Sequence, residues 1–186
     1  METERIKYTI TFLSDWHAGS GLSSGAEADA VVIKDKQNLP YLPGKTIKGL
    51  LKDVLEDFTE VQPKLLSAEF IKTNFGKYDD KKKITDQGTL FFSNAELAEN
   101  ECQEITTEMS HFLYHNIAST SIGENGIANP GSLRTMEVCI PLTLVGYIDG
   151  VNKSDKEILE MGFRYLRHLG SNRNRGLGRC KIQIKP

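Results

Sequence analysis

The sequence predicts an α+β fold: a ferredoxin-like (RRM-like) antiparallel sheet with helices packed on one face. Three observations carry this. Residues 5–12 and 176–184 alternate apolar and polar side chains with a period of two. Residues 47–58 carry a helical apolar stripe. Strand and helix patterns interleave along the chain instead of forming separate blocks. The 186 residues suit a single domain, 1–186, on a prior of roughly 100–200 residues per domain. Inserted segments are expected at about 60–87 and 116–134.

In chain order, Ile6, Tyr8, Ile10 and Phe12 share one face of the first strand, and Arg5, Lys7, Thr9 and Thr11 the other. A glycine-rich loop, Ser14–Ala28, follows, then a short apolar strand at Ala30–Ile33 and a polar turn at Lys34–Asn38. Pro40–Gly44 leads into a helix whose stripe is Ile47, Leu50, Leu51, Val54, Leu55 and Phe58. Lys45, Lys48 and Lys52 lie near its start, off the stripe. The charged run Asp79–Lys83 predicts an exposed loop, and Gly88–Ser93 a strand. Residues 104–117 read as a helix, and Ser119–Ser132, rich in Gly, Asn and Ser, as a long loop. Met136–Ile148 alternates and reads as one strand with a bulge or edge position at Pro141. Ser154 and Glu157 have capping-box spacing, opening a helix expected to end at Gly170. Gly176–Ile184 reads as the last strand.

Lys and Arg total 23 against 25 Asp and Glu, a net charge of −2 that gives no support to a polyanion partner. The distribution differs from the total. Residues 164–186 carry Arg164, Arg167, Arg173, Arg175, Arg179, Lys181 and Lys185 and no acid. Met1–Lys7 is polar, without the apolar core of a signal peptide. The longest apolar stretch, Cys139–Ile148, falls short of the about 20 residues a spanning helix needs, so no membrane role is expected. Cys102, Cys139 and Cys180 are widely spaced with no CxxC, which disfavours a disulfide scaffold or a cysteine-built zinc site. A cytoplasmic location is expected.

Several motifs fail on spacing. Gly44-Lys45-Thr46 ends like a phosphate loop, but position 39 is Leu39, not glycine. Gly19 and Gly21 are followed by Gly25, one residue late for a dinucleotide fingerprint. His111 and His115 share a face on the expected helix but lack a zincin glutamate, so no metal role is assigned. Arg173, Arg175 and Arg179, interleaved with Gly176 and Gly178, are more specific. The glycines admit a close ligand approach and the arginines offer bidentate phosphate donors, although a solvated turn has the same composition. The helix start near Lys45, Lys48 and Lys52 suits an anion, or an ordinary lysine-faced helix. In the first loop His17, Glu27 and Asp29 sit among glycines. A loop carboxylate can position a divalent cation (Mg or Mn) or serve only as a turn residue; no organic cofactor is expected.

Ala26–Asp35 followed by Leu39–Gly49 resembles the RAMP superfamily of CRISPR-associated proteins: an acid ahead of an apolar strand, a Pro-Gly turn, then Thr46-Ile47-Lys48-Gly49. Asn74-Phe75-Gly76, Thr89–Leu97 and Leu169–Arg179 resemble its later motifs, so the likeness runs over about residues 5–184. Within the superfamily it is greatest to the backbone, guide-RNA-binding subunit of type III effector complexes. The resemblance implies a filament along a CRISPR RNA, a thumb-like loop at Asn116–Arg134, and target-RNA cleavage by Asp29 with a divalent cation. It implies RNA contacts from His17, Lys48, Arg173, Arg175 and Arg179; Lys45, Lys52 and Arg134 are further candidate RNA contacts. CRISPR RNA, target RNA and other RAMP subunits are the implied partners. Thr46 stands where serine is more usual, and Glu27 leaves open which carboxylate acts. The same residues suit a non-catalytic RNA-binding subunit, or a stand-alone processing ribonuclease with His17 as general base. The Pro-Gly bend and the arginine tail are expected on neighbouring edges of one sheet, gripping a polynucleotide together.

Overall fold

Alternation along the first strand fixes the architecture. In the computed structural model, which describes residues 3–25, 28–62, 66–79, 84–106 and 108–185, β1 (Thr3–Phe12) buries Ile6, Tyr8, Ile10 and Phe12. The helix α1 (Gly44–Val61) covers them with Ile47, Leu51 and Leu55. The chain continues through α2 (Ala68–Phe75), the hairpin β2 (Gly76–Asp79) and β3 (Ile84–Gln87), then β4 (Phe91–Phe92) and α3 (Glu99–Glu104). Next come β5 (Tyr114–Ser119), β6 (Arg134–Cys139), β7 (Thr143–Asn152), α4 (Lys156–Tyr165) and β8 (Cys180–Ile184).

The main sheet has the order β4-β7-β1-β8, with β1 antiparallel to both its neighbours and β4 antiparallel to β7. With α1 and α4 as the crossovers, this is the β-α-β-β-α-β plan of a ferredoxin-like fold, as the sequence predicts. Tyr8 meets Phe163 of α4 with ring centroids 5.2 Å apart. The two helices approach closely at Gly162, where an added Cβ would lie 2.6 Å from Leu51 Cδ1 and 3.0 Å from Leu55 Cδ2. Large side chains fully buried in such a core are each worth about 1.5–3 kcal/mol.

Four elements differ from the sequence reading. The helix expected at 104–117 is instead α3, a 3-10 turn at Ser110–Leu113, and strand β5. β5 is a hairpin strand open to water along most of its length, so no buried face imprints a period on its sequence. The single strand expected over Met136–Ile148 divides at Pro141: β6 forms a ladder with β5 outside the main sheet, while β7 enters it. A proline has no N–H to continue a ladder. Ala30–Ile33 forms only single bridges, Ala30 to Met136 and Val32 to Gly19. Ser154 hydrogen-bonds Asp155 Oδ1 instead of capping α4, which ends at Tyr165, well before Gly170. Of the charged run Asp79–Lys83, residues 80–83 lie outside the described residues, as do 63–65 of the first expected insertion.

Gly162→Val will force a branched side chain into the α1–α4 contact, lowering stability by about 1–3 kcal/mol in chemical denaturation. Gly49→Ala, in α1 with nothing within 4 Å of its added Cβ, will raise stability by up to about 1 kcal/mol.

Candidate nucleic-acid interface

The expected site residues converge through β6, whose free edge collects loops from both halves of the chain. Trp16 pairs with Cys139 in both directions, N–H to carbonyl, at 2.9 and 2.8 Å. Its ring stacks on Phe12 with centroids 4.3 Å apart, and its indole N–H donates to the Ile140 carbonyl at 3.1 Å. His17 is buried, and its Nδ1 donates to the Glu137 carbonyl at 2.6 Å. The Glu137 carboxylate accepts from the Val32 amide at 2.9 Å and pairs with Lys34 Nζ at 2.8 Å. Lys34 in turn lies 3.9 Å from the centre of the Tyr114 ring.

Asp29 joins the same strand. Its amide donates to the Thr135 carbonyl, and its Oδ2 accepts from the Thr135 amide, both at 2.8 Å. The carboxylate is exposed, and among the described residues Oδ1 has no partner. Glu27, the other acid considered, lies outside the described residues.

The arginine loop is built onto the first loop by glycine. Gly170 and Gly178 have φ of 90° and 71°, which a side chain would strain. A Cβ at Gly170 would strike the His17 carbonyl, and one at Gly178 the Leu169 carbonyl. Ser171 N–H donates to the His17 carbonyl at 2.8 Å, and Gly178 N–H to the Asp15 carbonyl at 2.7 Å. Asn172, itself left-handed at φ 55°, places its amide 3.7 Å from Met136 Sδ on β6. Arg173 and Arg175 sit exposed on a 3-10 turn, Arg179 just before β8, and Arg134 at the start of β6. Among the described residues these four guanidinium groups have no acid or hydrogen-bond partner.

The thumb-like segment, Asn116–Arg134, is the outer part of the β5–β6 hairpin. It exposes Ile122, Ile127 and Leu133, and Ile122 bridges Ala128 near its end. Sequence reasoning missed two residues here. His115 lies on β5, its Nε2 3.3 Å from Asp15 Oδ2, tying the hairpin to the first loop; His111 is elsewhere, against Phe112. Glu137 reads in the sequence only as the polar position of an alternating strand.

The lysines of α1 do not join this cluster. Lys48 Nζ donates to the Leu90 carbonyl at 2.7 Å, and burial, with a smaller push from Lys52, holds its pKa below the usual lysine value. Lys52 Nζ donates to the Gly76 carbonyl at 3.1 Å and lies 3.7 Å from Glu56. Of these three lysines, Lys45 alone is exposed and has no partner among the described residues. The bend before α1 packs on β4, where a Cβ at Gly44 would strike the Phe92 carbonyl. The arginine loop precedes β8, and β4 and β8 are opposite edges of the sheet. The expectation of neighbouring edges is therefore corrected: the α1 lysines and the arginine loop do not form one grip.

No three His, Cys, Asp or Glu residues converge to hold a metal ion among the described residues, and no described helix is long and apolar enough to cross a membrane. The class this defines is an α+β sheet domain bearing a rooted hairpin and a glycine-built arginine loop. A family model of the RAMP superfamily matches residues 9–181, and the chain belongs to that superfamily. Comparison with curated proteins gives no match. Among solved structures the chain is similar to one in "Cryo-EM structure of the Type III-B Cmr-beta bound to cognate target RNA". That match has a TM-score of 0.74 and 12% identity and covers 97% of both chains. A chain of the apo Type III-B Cmr-beta matches with a TM-score of 0.73 and 13% identity, over 97% of this chain and 96% of that one. Both likenesses are of fold.

Glu137→Ala will leave the Val32 amide without its acceptor and Lys34 without its partner. Stability will fall by about 1–3 kcal/mol, and hydrogen exchange at Val32 will lose protection before that of β1.

Proposed function

We propose that the chain is a CRISPR RNA-binding backbone subunit of a type III antiviral effector complex, cleaving bound target RNA through Asp29. Membership of the RAMP superfamily and the fold shared with Type III-B Cmr-beta chains support the class. The observation that carries the site is the placement of an exposed carboxylate, Asp29, on the root of the hairpin, with the arginine loop built onto the same first loop and touching β6 through Asn172. In this reading Arg134, Arg173, Arg175 and Arg179 meet RNA phosphates, with Lys45 as a separate contact. CRISPR RNA, target RNA and other RAMP subunits are the partners, and copies of the chain stack along the guide.

The chemistry is attack of a target 2′-hydroxyl on its adjacent phosphate: the new bond closes a 2′,3′-cyclic phosphate, the P–O5′ bond breaks, the hydroxyl proton passes to water and the leaving 5′-oxygen takes one from water, so DNA resists cleavage. The chain's part is to hold the target backbone in line and keep Asp29 fixed by its two bonds to Thr135. A divalent cation fits only as a shared ion: Asp29 offers one unpartnered oxygen, and water and phosphate oxygens would complete the shell. When bound, it would stabilise charge at the phosphate. His17 orders the loops in this reading; its burial and its bond to the Glu137 carbonyl disfavour a stand-alone acid–base ribonuclease.

Asp29→Asn keeps an acceptor for Thr135 but removes the charge. In a reconstituted complex it should abolish metal-dependent target cleavage while CRISPR RNA affinity stays unchanged. Cleavage equal to wild type removes the catalytic assignment, and a wild-type complex that leaves target RNA intact makes the subunit purely structural. Replacing Arg173, Arg175 or Arg179 singly by Ala should lower the log–log salt slope of RNA affinity by about 0.7 each.

A further inference from the structure

A second surface stands apart from the arginine loop, on the sheet face that the helices leave open. There a cavity of about 990 Å³ is lined by Phe91, Tyr147, Lys7 and Lys45, with Glu96 and Glu99 also on its wall. That volume is ample for a nucleotide. Phe91 projects from edge strand β4, 57% exposed, which leaves a large apolar ring facing water. Its centroid lies 6.2 Å from that of Tyr147, with the rings inclined at 43°.

Tyr147 is held ready. Arg5 forks onto Asp149, with Nε to Oδ1 at 2.6 Å and a terminal nitrogen to Oδ2 at 2.8 Å, and its guanidinium lies 4.0 Å from the Tyr147 ring centre. One face of the tyrosine is thereby covered and its orientation fixed. Lys7 sits directly across the ladder from Tyr147, and Lys45 lies in the first turn of α1.

We propose that Phe91 and Tyr147 form a base-stacking subsite for single-stranded RNA, with Lys7 and Lys45 meeting the flanking phosphates. The proposal rests on the RNA-binding reading above; it gives Lys45 a defined place and adds Phe91, Tyr147 and Lys7, which that reading does not use. The open faces of β1, β7 and β8 carry Arg5, Lys7 and Lys181 against one acid, Asp149, which Arg5 already holds. That polarity suits a nucleic-acid strand more than a protein partner, which would want a continuous apolar patch. Inside the cavity two lysines balance two glutamates, so stacking, and not phosphate neutralisation, supplies the affinity.

The test is fluorescence anisotropy of a fluorescein-labelled single-stranded oligoadenosine RNA on the purified chain across a salt series. Phe91→Ala should weaken binding about tenfold or more with an unchanged salt slope, and Phe91→Trp should restore it. An Arg173→Ala, Arg175→Ala double variant should instead flatten the slope. Wild-type affinity in a folded Phe91→Ala chain, checked by circular dichroism, overturns the subsite while leaving the arginine site standing. Intact RNA affinity with lost self-association in sedimentation makes the face a protein interface and also overturns it. A wild-type chain that binds no RNA overturns the broader reading, and the subsite with it.

Discussion

The site depends on how the free edge of β6 is satisfied. A two-stranded ribbon is marginal in water, and an unpaired strand edge invites intermolecular pairing. Here β5 covers one edge of β6, and the other is taken by Trp16, Asp29 and Ala30 from the loop after β1. Glu137 extends the arrangement with its side chain, meeting the Val32 amide on one oxygen and Lys34 on the other. A strand that could not stand alone is thus the frame on which the first loop is ordered. The arginine loop then builds on that loop through Asp15 and His17.

Pro141 makes this possible. Had the strand run unbroken from β6 into β7, the hairpin would have been an extension of the main sheet and its outer edge would have been committed to the ladder. The break releases β6, and β7 resumes its pairing with β1 at Thr143.

Legibility in the sequence follows one-sided burial. β1, α1 and β8 each bury one face, so their periods announce both element and core. β5 is exposed along most of its length, so its sequence carries no period and reads as part of a helix. In the arginine loop, glycine composition marks the left-handed backbone at Gly170, Gly176 and Gly178, because that is a local need. The lysines mislead for the opposite reason. A helical stripe says that Lys48 and Lys52 are off the core; it cannot say that carbonyls of Leu90 and Gly76, far along the chain, take their ammonium groups. Glu137 is illegible on the same grounds, since its partners come from another loop.

This division of cations has a physical logic. The ammonium group is compact, turns its donors freely, and gives up its charge more readily when buried. Lys34, Lys48 and Lys52 therefore serve inside the framework, closing two carbonyls and pairing with Glu137 and Glu56, and burial lowers the Lys48 pKa. Guanidinium stays charged, is less strongly hydrated, and presents a planar fork matched to phosphate. Arg134, Arg173, Arg175 and Arg179, and also Arg167 just after α4, are left open to water without acids, on a chain whose total charge is −2. The exposed acids Asp53, Glu56, Asp57 and Glu60 are gathered on α1, which starts beside β4, at the sheet edge opposite β8. Net charge is therefore a poor guide to this molecule: four exposed acids are concentrated on α1, while all of these free arginines but Arg134 lie between α4 and β8, in a stretch without acids.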